Sequence, residues 1–165
     1  MFIELGSRRI HLSPATAHPN STWVTQQARN LALGLDTRTS PVRFLIRDRD
    51  AKFSRSFDAV LRSEGMRVIR TPVHAPNANA YAERVIETIR AECLDWTLIL
   101  GRRHLDRTLR TYADHYNRGR PHCALALASP PAEASMTVPV PVSTRDVRRR
   151  DLLGGLIHEY HGAAA

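Results

Sequence analysis

A short apolar run in the first third of the chain constrains the fold more than any other feature. Val42–Ile46 reads Val-Arg-Phe-Leu-Ile, and such a nearly continuous apolar run is typical of a strand covered on both faces. Helical patterns flank it, one over Thr22–Leu35 and a shorter one around Phe57. The alternation of strands and helices predicts an α/β fold.

The other segments extend this alternation. Phe2–Leu5 and Arg9–Leu12 flank a Gly-Ser-Arg turn and predict two strands, and Met66–Ile69 predicts a further strand. Two longer helices are expected over Ala80–Leu94 and His104–Arg118. Serine and threonine side chains are the expected caps of the two earlier helices, namely Ser21 or Thr22 for the first and Ser54 or Ser56 for the second.

Apolar positions on the two longer helices predict which side of each is buried. On the first of them the stripe consists of Ala82, Val85, Ile86, Ile89 and Cys93; on the second it consists of Leu105, Leu109, Tyr112, Ala113 and Tyr116. The two tyrosines therefore fit core positions better than a role in stacking on bases.

The length of the chain and the positions of its prolines and glycines predict one main domain followed by a tail. A chain of 165 residues can bury one real core, and we assign this core to residues 1–131. Residues 132–147 include the run Val-Pro-Val-Pro-Val and are expected to form an extended linker. Residues 148–165 are expected to form a small basic hairpin around Gly154 and Gly155.

The charge balance favours a polyanionic partner. The net charge is +8, the pI is near 10.6, and among the 24 basic residues only Lys52 is a lysine. Arginine forks match phosphate oxygens bidentately, although a GC-rich genome also favours arginine codons. Charge alone therefore indicates nucleic acid binding without assigning it.

Two further patterns bear on the compartment. No apolar run approaches the roughly 18 residues of a membrane helix, and the first residues lack the charge order of a secretory signal. Cys93 and Cys123 have no metal-binding spacing, so reduced thiols are expected. These patterns predict a cytoplasmic protein.

Two carboxylates stand where rigid elements meet loops. Asp48 follows the strand at Val42–Ile46, and Glu83 falls in the first turn of a helix after a small-residue loop. Cleavage or transfer of a phosphodiester needs charge neutralised on the attacking and leaving oxygens, which two Mg²⁺ ions can do. Asp48 and Glu83 are therefore predicted to be catalytic metal ligands, with Asp50 competing for the place of Asp48. Singly, each acid is more often a solvated side chain or a helix-dipole partner.

The basic residues near Glu83 fall into two classes. Arg84 and Arg90 lie within two turns of Glu83 and are predicted to contact DNA phosphates; the alternative for Arg90 is an intrahelical pair with Glu87. Arginines on the next helix are more typical of a solvated face than of an element that reads DNA sequence, and they comprise Arg102, Arg103, Arg107 and Arg110. For Arg120 and His122, anchoring of the chain end to the core is favoured over DNA contact, and for His74 a surface position.

Four motifs, in order, resemble those of integrase-core transposases. Pro76–Arg84 looks like the stretch around the third acid of the family, and Thr88–Asp95 is similar to the continuation found in insertion-sequence members. Tyr116–Pro130 resembles the closing tyrosine-asparagine-arginine-proline-histidine signature, and Phe2–Arg9 resembles the second strand. Many integrase cores have the pattern aspartate-asparagine-glycine-x-x-phenylalanine. Asp48 and Phe53 match its first and last positions, whereas Arg49 and Asp50 stand where the pattern has asparagine and glycine.

The resemblance to retroviral-type integrases and insertion-sequence transposases, the DDE superfamily, implies a fold and a chemistry. The fold is ribonuclease-H-like, with a mixed central sheet flanked by helices. The substrate is DNA, and the cofactor is Mg²⁺ or Mn²⁺, with two ions in a complete site. A second copy of the chain or a full-length transposase is a further expected partner.

The same resemblance predicts that the first strand of the fold is missing and the core is truncated at its N-terminus. In the family, the first aspartate lies on a strand upstream of the one that Phe2–Arg9 resembles. Glu4 is not expected to replace it, because metal geometry tolerates little displacement.

Two functions follow from the resemblance. One is a metal-dependent DNA strand transferase core of a transposase; the other is a non-catalytic relic that binds DNA or a partner protein. The missing aspartate favours the relic for this chain by itself. A simple nuclease of the same fold is disfavoured by the insertion-sequence motifs.

Overall fold

The computed structural model describes residues 1–35, 41–73, 79–125, 128–130 and 147–162. It divides into two compact units. One unit is formed by residues 13–85, and the other by residues 1–12 together with residues 86–165. His74, most of the loop before Glu83, and residues 132–146 of the predicted linker lie outside the described residues.

The unit formed by residues 13–85 contains two helices and two strands before it reaches the start of a third helix. Its elements are α1 (Ser21–Leu35), β3 (Phe44–Arg47), α2 (Arg55–Ser63), β4 (Arg67–Arg70) and the first turns of α3 (Ala80–Glu92). Strands β1 (Phe2–Ile3) and β2 (Ile10–His11) precede them in the chain and belong to the other unit. Helices α1 and α2 pack together, α2 contacts β4, and β3 pairs with β4 in parallel. Buried apolar side chains from these elements form its core, including Ala28, Phe57, Leu61 and Met66.

The N-cap predicted from the sequence is confirmed for α2 but not for α1. The Ser54 hydroxyl accepts a hydrogen bond from the Phe57 amide at the start of α2, as predicted. At the start of α1 the cap is Asn20, whose Oδ1 accepts from the Trp23 amide at 2.8 Å, so the prediction of Ser21 or Thr22 was wrong. Asparagine is as good an N-cap as serine, and its position one residue earlier starts the helix at Ser21.

Strand β3 is covered on one face only, which corrects the prediction of burial on both. Arg47 is buried, while Phe44 is 50% and Ile46 46% exposed. Alternate residues of a strand point to opposite faces, and among the described residues β3 pairs with β4 alone. The apolar run is therefore accounted for by one covered face and one open face.

The second unit is built around α4 (Arg102–Arg118). Strands β1 (Phe2–Ile3) and β2 (Ile10–His11) form a short antiparallel pair. The Asn117 side chain fixes β2 to α4, because its Oδ1 accepts from the Ile10 amide and its Nδ2 donates to the Ile10 carbonyl, both at 2.9 Å.

A hairpin completes this unit. Strands β5 (Val147–Leu152) and β6 (Ile157–Gly162) pair in antiparallel, and Gly154 and Gly155 adopt positive φ angles in the turn, as the Gly-Gly pair predicts. The Glu159 carboxylate accepts from His115 at 3.0 Å when the imidazole nitrogen carries a proton, which joins the hairpin to the end of α4.

Five of the ten residues in the two predicted stripes are buried. Val85 and Ile89 are buried on α3, Cys93 is buried directly after its end, and Tyr112 and Tyr116 are buried on α4. Ile86 is exposed, which corrects its predicted burial, because it lies at the edge of a stripe centred on Val85 and Ile89.

Strands and helices together confirm the α/β class. The described strands form three two-stranded sheets, one parallel and two antiparallel, where the sequence predicted one mixed central sheet. None of the described helices has both the length and the apolar composition that crossing a membrane requires.

Candidate active site

Asp48 lies directly after β3, where a buried arginine fixes its backbone. The Arg47 guanidinium donates to the Asp48 carbonyl at 2.9 Å and lies over the Phe53 ring. The next residue is fixed as well, since Arg49 Nε donates to the Thr71 carbonyl at 2.9 Å. Asp48 therefore stands between two anchored arginines at the end of a strand.

The anchor itself is a buried ion pair. Arg47 binds both carboxylate oxygens of Asp58 on α2, with Nε–Oδ1 and Nη2–Oδ2 distances of 2.8 and 2.9 Å. Arg70 and Arg62 approach the same carboxylate at 3.3 and 3.6 Å. Burial works to raise the pKa of Asp58, but the hydrogen bonds from Arg47 and Arg70 outweigh it and hold the pKa below its usual range. The pair joins the end of β3 to α2.

The carboxylates of Asp48 and Asp50 differ in availability. Asp48 Oδ1 accepts from the Asp50 amide at 3.0 Å, and its Oδ2 has no partner among the described residues. Asp50 Oδ1 accepts from the Lys52 amide, and its Oδ2 pairs with Lys52 Nζ, both at 2.9 Å. Hydrogen bonds from Lys52, first from its backbone, lower the pKa of Asp50. Asp48 is thus the acid with an oxygen still available to a cation.

Glu83 lies in the first turn of α3 and is exposed. No described residue forms a hydrogen bond or ion pair with its carboxylate. Its position at a helix N-terminus also suits an ordinary dipole partner, so exposure alone does not assign it a role. It shares the unit formed by residues 13–85 with Asp48, and the two carboxylates have no hydrogen-bond partner in common.

The two arginines predicted to contact DNA lie on α3, and both are exposed. Within the described part of the chain Arg90 makes no ion pair, so the intrahelical pair with Glu87 is not formed. Arg84 takes part in a contact of its own. Arg90 is therefore the more available of the two guanidinium groups.

The types of ligand at Asp48 and Glu83 fit a hard divalent cation. Mg²⁺ keeps several waters and is commonly held by one or two carboxylates together with substrate phosphates. Across the described ranges no group of three or more carboxylate, imidazole or thiol side chains suited to a metal occurs.

Glu4 is occupied by its own neighbours. Its Oε2 accepts from the Ser7 hydroxyl at 2.6 Å, and its Oε1 lies 2.7 Å from His11 Nε2. These contacts stabilise the turn between β1 and β2.

Arg120 and His122 have the anchoring contacts that the sequence favoured. Arg120 forms a two-point ion pair with Glu92 on α3 and lies over the Tyr116 ring. His122 is buried with its ring against Tyr116. The Tyr112 hydroxyl donates to the same Glu92 carboxylate. The closing motif thus joins the ends of α3 and α4.

The same contacts and burial shift the pKa values of Glu92, Tyr112 and His122. Burial works to raise the pKa of Glu92, but hydrogen bonds from Arg120 and Tyr112 outweigh it and lower the pKa. Burial first, and then the bond to Glu92, raise the pKa of Tyr112 above its usual value. Burial lowers the pKa of His122, so this imidazole is favoured in its neutral form.

Sequence reasoning missed the pair of Arg47 and Asp58. A signal was present, since Asp58 follows Phe57 on the apolar side of α2, where an acid needs a partner. The partner stands 11 residues earlier and on a different element. Local patterns do not identify such a pair.

One protein family matches a continuous stretch of this chain. Residues 64–130 match a family described as an integrase core domain. The matched stretch contains Glu83, Arg84 and Arg90, whereas Asp48 precedes it. A search of curated proteins found no match to the chain.

Proposed function

Because residues 64–130 match the integrase core domain family, we propose that this protein is a metal-dependent DNA strand transferase core of a transposase or integrase. The observation that carries the proposal is the match itself, since it includes Glu83, the helices α3 and α4, and the closing motif. DNA is the substrate, and Mg²⁺ or Mn²⁺ is the cofactor. No feature of the described residues favours the non-catalytic relic.

We assign the two carboxylates at Asp48 and Glu83 to the cation. Asp48 is supported by its uncommitted Oδ2 and by the Arg47 anchor beneath it. Glu83 is supported by its exposure and by its lack of a partner among the described residues. When bound, such ions neutralise charge on the scissile phosphate and on the attacking and leaving oxygens.

Arg84 and Arg90 bind the DNA backbone beside this site. Both are exposed on the helix that carries Glu83, and Arg90 is one turn beyond Glu87 without pairing to it. Guanidinium groups bind phosphate oxygens in two-point contacts. Their role is to position the duplex so that the reacting phosphate lies next to Glu83.

The ribonuclease-H-like arrangement belongs to the same proposal. The resemblance of Phe2–Arg9 to a second strand implies that a further strand, carrying another acid, completes the sheet. The open face of β3, with Phe44 and Ile46 exposed, is compatible with an additional covering element. Residues 1–131 then form the core, 132–147 the linker and 148–165 the hairpin tail, except that Val147 already belongs to β5 of the hairpin.

A strand-transfer assay tests the assignment of Glu83. The parent chain is incubated with Mn²⁺, a labelled donor end and a target duplex, and joined product is measured. We expect low but metal-dependent joining by the parent and its loss in Glu83→Gln, because the amide keeps the size of the side chain and removes its charge.

The matched control is Glu87→Gln, which makes the same change one turn further along α3. It is expected to join DNA as the parent does. Equal joining by the parent and Glu83→Gln would remove Glu83 from the mechanism, and the absence of joining by the parent would contradict catalysis by these residues.

A further inference from the structure

Helix α4 presents two opposite faces of different character. Thr108, Tyr112 and Tyr116 are buried on one side. On the other side Arg103, Arg107 and Arg110 are exposed, and their spacing of four and three residues places them in one line along the helix. We name these three residues the arginine row.

The arginine row borders a shallow concavity of about 370 Å³. Its lining consists of the row together with Asp106, Thr111 and Asp114. Every lining residue belongs to α4, so the concavity is a surface feature of one rigid element. The Thr111 hydroxyl adds a donor beside the guanidinium groups.

The charges of the row are only partly compensated within the described residues, since Asp106 and Asp114 also line the concavity. None of its three guanidinium groups forms an ion pair or a hydrogen bond there. Other arginines are paired, among them Arg47 with Asp58 and Arg120 with Glu92. Clustering of unpaired cations is electrostatically unfavourable, and it is more so near a helix N-terminus, where the helix dipole is positive. The row therefore has no ion-pairing role in α4 among the described residues.

We propose that the arginine row binds the phosphate backbone of duplex DNA, without reading its sequence, as a site separate from Arg84 and Arg90. The inference rests on the proposed function for its choice of polyanion. From Arg103 to Arg110 the row extends about 10.5 Å along the helix axis. Duplex DNA carries one negative charge per roughly 1.7 Å of its axis, so about six phosphates fall within this length. Three guanidinium forks thus meet enough phosphates for one contact each.

Backbone contact makes a quantitative prediction for the salt dependence of binding. Each neutralised phosphate contributes about 0.9 to the slope of log affinity against log salt concentration, so the loss of three contacts reduces the slope by about 2.7. The variant R103Q/R107Q/R110Q is compared with the parent by fluorescence anisotropy on a labelled duplex of arbitrary sequence. Chelator is present, so binding does not depend on a metal at Asp48 and Glu83.

The matched control is R148Q/R149Q/R150Q, which removes the same charge from β5. Arg149 in that strand is already paired with Asp151 at 3.0 Å. We expect the slope of this control to stay close to that of the parent. Circular dichroism and thermal melts verify the fold of each variant. If the triple variant of the row does not fold, R107Q alone is used, with an expected reduction of about 0.9.

The outcomes separate this inference from the proposed function. An unchanged slope in the row variant, or an equal reduction in both triple variants, would overturn the inference while leaving the proposed function intact. Reduced slope in the row variant together with an absence of strand transfer by the parent would support the inference and contradict the proposed function. Failure of the parent to bind any duplex would contradict both. A second duplex of unrelated sequence should bind equally well, and a strong preference would contradict backbone contact.

Discussion

Replacing Asp58 with alanine is expected to lower the free energy of unfolding by about 3–5 kcal/mol, because it leaves the buried charge of Arg47 without its partner. Asp58 is itself buried and holds Arg47 through two hydrogen bonds. Urea denaturation followed by circular dichroism measures the change. Hydrogen exchange is expected to show the largest loss of protection in residues 13–85, the unit that contains the pair.

The control for this variant is Glu64→Ala, an exposed acid at the end of α2 in the same unit. Surface changes of this kind usually stay within about 0.5 kcal/mol. A double variant, Arg47→Met with Asp58→Leu, is expected to be more stable than Asp58→Ala because it removes both charges. Equal stability of the parent and Asp58→Ala would contradict the structural role of the pair.

The stabilising effect of Asp58 depends on pH in a defined direction. Its pKa in the folded chain lies below the usual value of 3.8. The folded state therefore favours the ionised form, and the stability it contributes is fully present above pH 3.8 and is lost as the pH falls through the lower folded-state pKa. The difference in stability between the parent and Asp58→Ala should accordingly shrink in acid.

Replacing Tyr112 with alanine is the second change with a large expected effect. The side chain is 1% exposed, and truncation of a buried aromatic residue leaves a cavity that costs about 3–5 kcal/mol. Its hydroxyl also donates to Glu92, so the joint between α3 and α4 loses a hydrogen bond. Hydrogen exchange should show the loss in α4 and in β2, which α4 holds through Asn117.

Tyr160→Ala is the matched control, because Tyr160 is 64% exposed on β6. We expect its effect on the unfolding free energy to be about 0.5 kcal/mol or less. A Tyr112→Ala protein as stable as the Tyr160→Ala protein would show that Tyr112 does not occupy the core of its unit.

The sequence predicted the elements whose signals are local. The cap of α2, the presence of α3 and α4, and the buried tyrosines follow from capping chemistry and helical periodicity, which depend on neighbours within a few positions. One end of each long helix differs from the prediction, since α3 ends at Glu92 and α4 begins at Arg102. Burial on β3 was mispredicted for a different reason. An apolar run shows which residues of a strand can be buried. Whether the second face of the strand is covered depends on elements distant in the chain.

In the candidate site, too, local patterns predicted some features, whereas others depend on residues distant in the chain. Asp48 at the end of a strand and Glu83 in the first turn of a helix are positions that patterns identify. The sequence favoured Asp48 and left Asp50 as a competitor, but it did not show which carboxylate oxygens are already hydrogen-bonded. It also did not identify the partner of Arg47, which lies on another element. Spacing in sequence does not encode the separation of two acids in space, because that separation depends on how α3 packs.

Binding of Mn²⁺ tests the central proposal most directly, namely that Asp48 and Glu83 hold one cation between them. Titration of the parent, Asp48→Asn, Glu83→Gln and the double variant, followed by electron paramagnetic resonance, gives the four affinities of a double-mutant cycle. We predict that each single change weakens binding at least about tenfold. The loss in the double variant should also be smaller than the sum of the single losses, because ligands of one ion are coupled. Unchanged affinity in either single variant, or strictly additive losses, would contradict the account.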